Sequence, residues 1–183
     1  MIETDYRIFY NLEDYLFATV RTRFASQGYL SAFDFFCIVI WKANRAKSKI
    51  ARRLLLRDYP DLDTAVRTLT ANIAGQPMAE DRLRHMLQEW GFLLPMASAI
   101  LTVLYPDEFT IYDIRVCNIL GKFHSLGTMR NFDQQWKEYL DYRRAVEENA
   151  PTELSLRDKD RYLWGRSFCE QLRDDISRAF IKA

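Results

Sequence analysis

The feature that most constrains this chain is a run with almost no polar side. From Met96 to Tyr105 it reads MASAILTVLY, and a helix that is apolar all round has to be buried on every face. A turn at Gly91 leads into it by way of Pro95. Proline is favoured at a first helical position, where its missing N–H has no helical partner to lose. Pro106 marks the loop that follows, and Asp113 stands directly before the amphipathic run Ile114 to Leu120. A buried helix is thus bracketed by a tight turn at one end and a lone carboxylate at the other.

The rest of the chain reads the same way. Gly and Pro are few, helix formers are frequent, and apolar residues recur at three-to-four spacing with no sustained alternation between hairpin turns. The expectation is an all-α protein, a compact multi-helix bundle. Leu12, Tyr15, Leu16, Thr19, Val20 and Phe24 fall on one helix face that stops at Gly28. Ser31 or Asp34 caps the next helix, with Phe35, Phe36, Ile38, Val39 and Ile40 as its core. Asp61 or Asp63 caps a helix through Ile73, which Gly75-Gln76-Pro77 breaks. Glu80 to Glu89 forms another, with Leu83, Met86, Leu87 and Trp90 on one side and Gly91 at its end. After Asp113, Ile114, Val116, Cys117, Ile119 and Leu120 are expected to pack inward, and Phe132, Trp136, Tyr139, Leu140 and Val146 mark a further helix. Ser155 precedes Asp158 by three positions, an Asp version of the capping box. The last helix then runs through Leu163, Trp164, Phe168, Leu172, Ile176 and Phe180.

At 183 residues the chain is read as a single domain spanning 1–183. The formal net charge is +1, so no global basic field announces a nucleic-acid binder, and any such surface has to come from local clustering. No apolar run is long enough to span a bilayer. The acids Glu3, Asp5, Glu13 and Asp14 near the start are wrong for a secretory signal or transit peptide. The expected location is the cytoplasm. Cys37, Cys117 and Cys169 are scattered without metal-site spacing, and Cys37 and Cys117 lie in apolar runs as small buried hydrophobes do. His85 and His124 are isolated and read as surface or helix-end residues. No metal site is expected. Phosphate-loop glycines, a serine elbow and a zinc-binding His-Glu helix pair are all missing.

The local cluster exists. Lys42, Arg45, Lys47, Lys49, Arg52, Arg53 and Arg57 fall within one stretch, KANRAKSKIARRLLLR, with no acid inside it. Ile50 and Leu54, with Ala46 or the Arg57 stem, mark its buried side. Such a strip is either a solvated helix face or a phosphate-contacting surface. Trp41, just before it, is either a base-stacking wedge or a partly buried core residue. Asp113 alone reads as an ordinary N-cap.

The stretch Trp90 to Val116 resembles the helix-hairpin-helix DNA glycosylase superfamily, the endonuclease III-like and oxoguanine glycosylase-like enzymes. Without a gap, Gly91 falls on the first Gly of the G-x-G-x-x-x-A hairpin, Ala97 on its Ala, Asp113 on the Asp that opens a small-x-Val helix, and Val116 on the Val. Leu93 stands where the family has its second Gly, and Pro95 where bifunctional members carry a Schiff-base Lys. The iron–sulfur cysteines of the endonuclease III-like branch are absent.

The resemblance covers roughly residues 31–127, with the flanking helices completing the bundle. It implies DNA as partner and a monofunctional hydrolase that cleaves the base–sugar bond with Asp113 as its one catalytic carboxylate. It implies no cofactor beyond a monovalent cation at the hairpin carbonyls. DNA would meet the turn at Gly91, Phe92, Leu93 and Pro95, and the segment Trp41, Lys42, Asn44, Arg45, Lys49, Arg52 and Arg53, with Asn44 near the family's inserted Gln or Asn. Arg115 is read as a phosphate contact or as half of a surface pair. Two alternatives stand beside this: a non-catalytic nucleic-acid module of the same fold, and a helical protein-interaction component. Oligomeric state is not fixed by the sequence.

Overall fold

Helix boundaries in the computed structural model follow from the capping chemistry of the residues that flank them. Residues 5–179 are described. Among them every regular element is helical. The chain divides into two compact units, Met1–Tyr105 and Pro106–Ala183.

In the first unit, α1 covers residues 12–27. It is capped by Asn11, whose side chain accepts from the Asp14 N–H, and is stopped by Gly28 in the left-handed region (φ +76°). Its buried residues Tyr15, Leu16, Val20 and Phe24 form the stripe expected from the sequence. Ser31, not Asp34, caps α2 (Ala32–Ala43). Asp34 lies one turn in and is buried, holding the Tyr15 hydroxyl at 2.6 Å and the Arg23 guanidinium at 3.2 Å. Phe35, Ile38 and Val39 are buried as expected. Phe36 is only half-buried and Ile40 is exposed, because the buried stripe turns toward Asp34 and Cys37.

Helix α3 (Lys47–Leu55) buries Ile50 and Leu54 and packs on α2 and on α4 (Leu62–Gly75), which Asp61 caps. Helix α5 covers residues 79–89, and α6 (Leu94–Leu104) follows the turn at 90–93. Every residue of α6 except Pro95 is buried. That is the consequence of the apolar run: α1, α2 and α5 pack around it, and each fully buried Leu, Ile or Val contributes roughly 1.5–3 kcal/mol.

In the second unit, residues 109–113 have no regular structure and α7 (Ile114–Leu120), α8 (Phe132–Glu148) and α9 (Leu156–Asp174) follow. Beyond Asp174, α9 continues as a π turn to Ala179. Phe180 lies outside the described residues. This segment belongs to no helix or sheet that would satisfy its polar groups, so α8 does it. The Tyr139 hydroxyl donates to Thr110 O (2.6 Å) and accepts from Thr110 N (3.1 Å), and the Tyr142 hydroxyl donates to Ile111 O (2.8 Å). Helix α9 packs on α7 and α8. Ser155 caps its start as expected, its hydroxyl accepting from the Asp158 N–H (3.1 Å), while the Asp158 carboxylate accepts from that same hydroxyl (2.8 Å). Val116 and Cys117 pack inward, but Ile114 is exposed, because the first turn of α7 projects it outward while Asp113 caps. No helix among the described residues is long and apolar enough to cross a membrane.

Candidate nucleic-acid interface

The basic stretch spans the end of α2, a 3-10 turn at Asn44–Ala46, and α3. With Ile50 and Leu54 directed inward, helical geometry sends Lys49 and Arg52 outward, and Arg45 is exposed on the 3-10 turn before them. Arg45, Lys47, Lys49 and Arg52 are exposed, and none of them pairs with a carboxylate among the described residues. Arginines elsewhere in this unit behave differently: Arg67 pairs with Asp63 at 2.5 Å, and Arg84 with Glu80 at 2.7 Å. Because no acid lies inside the stretch, these four have no acid at i±3 or i±4, and they stand together without counter-charge among the described residues. Asn44 is exposed on the 3-10 turn, and Lys42 is half-buried. Trp41 is also half-buried, edge-on to Phe17 with ring centroids 6.0 Å apart.

Arg53 and Arg57 do something the sequence did not announce. Arg53 Nη1 donates to Gly91 O and Arg57 Nη2 to Glu89 O, so α3 is tied to the turn that leads into α6. Arg57 also lies 4.5 Å from the centre of the Trp90 ring, which stacks on Tyr59 at 6.0 Å and 11°. Beneath them, Trp90 Nε1–H donates to His85 Nε2 at 2.9 Å. An indole nitrogen only donates, so Nε2 is the acceptor, Nδ1 carries the proton, and Nδ1–H reaches Glu89 Oε2 at 2.8 Å. His85 is therefore buried and structural, against the expectation of a surface residue. The only prior hint was the i,i+4 spacing of Arg53 and Arg57, which places both on one helix face.

The turn itself is organised by Gly91 (φ +67°). Phe92 N–H bonds back to Met86 O at 2.9 Å, and the Phe92 side chain is buried against Phe35, so only its backbone shares the surface of the turn. Leu93 is extended and 65% exposed; its carbonyl accepts from Met96 and Ala97 at 3.0 Å. The N–H groups of Leu93 and Leu94 have no acceptor among the described residues. They stand at the positive end of α6, and Pro95, which has no N–H, sits in its first turn. Glu89 O and Gly91 O already face guanidinium groups. Arginine thus supplies the positive charge that the resemblance places on the hairpin carbonyls.

In the second unit, Asp113 is the N-cap of α7. It is half-buried, and its Oδ1 accepts the Arg115 N–H at 3.0 Å. The tyrosine bonds to Thr110 and Ile111 fix the backbone just ahead of it. Arg115 turns away from any free role: it donates to Gln171 Oε1 at 2.8 Å and lies 5.4 Å from the Trp164 ring centre. Tyr112 is buried, with its hydroxyl donating to Phe123 O at 2.9 Å, and burial pushes its pKa up. No cluster of three or more potential metal ligands occurs among the described residues. No protein-family model, curated protein or solved structure matches this chain.

Proposed function

We propose that this chain binds DNA through the first unit and is a divergent monofunctional glycosylase of the helix-hairpin-helix kind, with Asp113 as its carboxylate. The observation that carries the binding half is the set of exposed, unpaired cations Arg45, Lys47, Lys49 and Arg52. Cations without counter-charge exchange the salt ions around phosphates for direct contacts, and that release favours binding. The α5 to α6 turn supports the same reading: two unsatisfied N–H groups at a helix start suit a phosphate oxygen.

The catalytic half rests on the register of Asp113 with Gly91 and Ala97 and on its fixed position at the start of α7. In that role the base leaves the stack, and the bond from C1′ of the sugar to the base breaks as positive charge builds on the sugar. The carboxylate stabilises that charge and takes a proton from water, whose oxygen bonds to C1′ while the base departs with its electron pair and acquires a proton. A non-catalytic nucleic-acid module is the second reading. It is favoured by one observation: the Asp113 carboxylate already has a structural task as a cap.

The deciding experiment is binding of the protein to labelled duplexes, intact and carrying an abasic-site analogue, across a salt series. Salt-dependent binding that prefers the abasic analogue is expected. A screen of damaged bases follows with Asp113→Asn, which keeps the cap and is expected to abolish base release. Asp113→Ala should instead cost roughly 0.5–2 kcal/mol of stability. Binding without abasic preference, or base release that survives Asp113→Asn, selects the non-catalytic module or a different catalyst. No binding at low salt overturns both readings.

A further inference from the structure

The second unit carries a surface that the DNA reading does not use. Trp164, Phe168, Leu172 and Ile176 follow one another at i+4 along α9 and its π turn, and they are 42, 45, 40 and 57% exposed. Trp164 and Phe168 stack on each other at 5.9 Å with planes 4° apart, and Arg115 lies 5.4 Å from the Trp164 ring centre, so this end of the ridge is held in place while its apolar side chains stay exposed. From Phe168 to Arg178 nearly every residue is exposed, with Gln171 held by Arg115 of α7. Exposed apolar ridges of this kind mark interaction surfaces.

The charges on α9 say what fits there. Arg157 pairs with Asp160, Arg161 with Asp158 (3.0 Å), Arg166 with Glu170 (2.7 Å) and Arg178 with Asp174 (2.9 Å), while Lys159 donates to Glu147 O (3.0 Å). Arg173 and Asp175 are left without a partner among the described residues. They cannot meet on their own helix, because residues two apart face different sides. Arg173 lies about 100° beyond Leu172 and Asp175 about 60° before it around the axis, so they flank the ridge on opposite sides. Arg166, Arg173 and Arg178 balance Glu170, Asp174 and Asp175, so this stretch has no net field to attract a polyanion or an anionic lipid surface.

We propose that the ridge of α9 packs against α9 of a second copy of this chain, the helices running parallel, with Arg173 of each against Asp175 of the partner subunit. A two-fold axis along the helices brings each flank beside the opposite flank of its mate, whereas an antiparallel pair sets like flanks together. Only the parallel arrangement gives both unpaired charges a counter-charge.

The test is the mass of the full chain in solution across a concentration series. The mass is expected to rise from 21.7 kDa toward twice that value. Phe168→Glu with Leu172→Glu removes the ridge at exposed sites; the variant should keep its helical circular dichroism and remain at the single-chain mass. Arg173→Asp should weaken association by about tenfold, and Arg173→Asp with Asp175→Arg should restore it. A single-chain mass at every concentration overturns the proposal, as does association that survives the ridge substitutions. A double charge swap no better than the single one overturns the parallel arrangement. None of these outcomes depends on the cations of the first unit, so DNA binding and dimerisation fail separately.

Discussion

Replacing Lys49 and Arg52 together by alanine tests whether the basic strip meets phosphate. Both side chains are exposed on the outward face of α3, opposite Ile50 and Leu54, so their loss leaves the core intact. Arg53 is kept, because its bond to Gly91 O would confound binding with folding. The structure offers Arg45, Lys47, Lys49 and Arg52 as unpaired cations. If each neutralises one phosphate, the slope of log K against log salt is about −3.6, and affinity falls about 150-fold between about 50 and 200 mM salt. Removing two contacts brings the slope to about −1.8 and the fall to about twelvefold over the same range. Fluorescence anisotropy of a labelled duplex at several salt concentrations gives both lines. A variant whose line is displaced but parallel to that of the parent would mean that these two cations do not touch phosphate, and the assignment of the strip would be refuted.

Tyr139→Phe strips the partner from both Thr110 N–H and Thr110 O in a fully buried setting, and thermal or urea unfolding should show a loss of about 2–4 kcal/mol. Gly127→Ala should cost about 1–3 kcal/mol by the same measurement, because its Cβ would meet Tyr112 Cε1 at 2.9 Å and that ring is held by its bonds to Phe123 O and His124 O. Alkaline stability should fall through Tyr15. Burial and then the bond to Asp34 push its pKa from 10.0 up to about 12. Its contribution is fully present below pH 10 and is lost between 10 and 12, where the unfolded tyrosine releases its proton first, by roughly 2–3 kcal/mol. Tyr15→Phe should flatten that part of the denaturation profile, and an unchanged profile would sink the reasoning.

Much of the helical layout was legible because local chemistry decided it. Capping residues such as Ser31, Asp61 and Ser155 act on their own helix starts, and Gly28 stops α1 by adopting a conformation that costs other residues energy. The apolar run at 96–105 announced a buried helix, since nothing else could hide it. What failed were positions whose exposure depends on a neighbour. Ile40 and Ile114 have apolar side chains in helical register yet face outward, while Asp34 and His85 are polar and buried because Arg23, Tyr15, Glu89 and Trp90 satisfy them. Such pairings join residues on different turns or helices, and periodicity along one segment carries no trace of them.

The interface shows the same division. A stretch of cations without acids is visible as written, and Arg45, Lys47, Lys49 and Arg52 have no carboxylate partner among the described residues, because pairing within a helix needs an acid three or four residues away. Arg53 and Arg57 belong to that stretch by composition but not by task. Their guanidinium groups satisfy carbonyls of a turn more than thirty residues on, so two of the charges that seemed available to a polyanion instead hold the turn in place. This changes how substitutions there should be read. Losing Lys49 or Arg52 should lower affinity alone, while losing Arg53 or Arg57 should move the N–H groups of Leu93 and Leu94 and the seat of Trp90 together, so that binding and stability change at once. A strip and a turn that looked like two separate contacts in the sequence are mechanically one, and a double-mutant cycle between Arg53 and Lys49 would measure that coupling, with additive effects arguing against it.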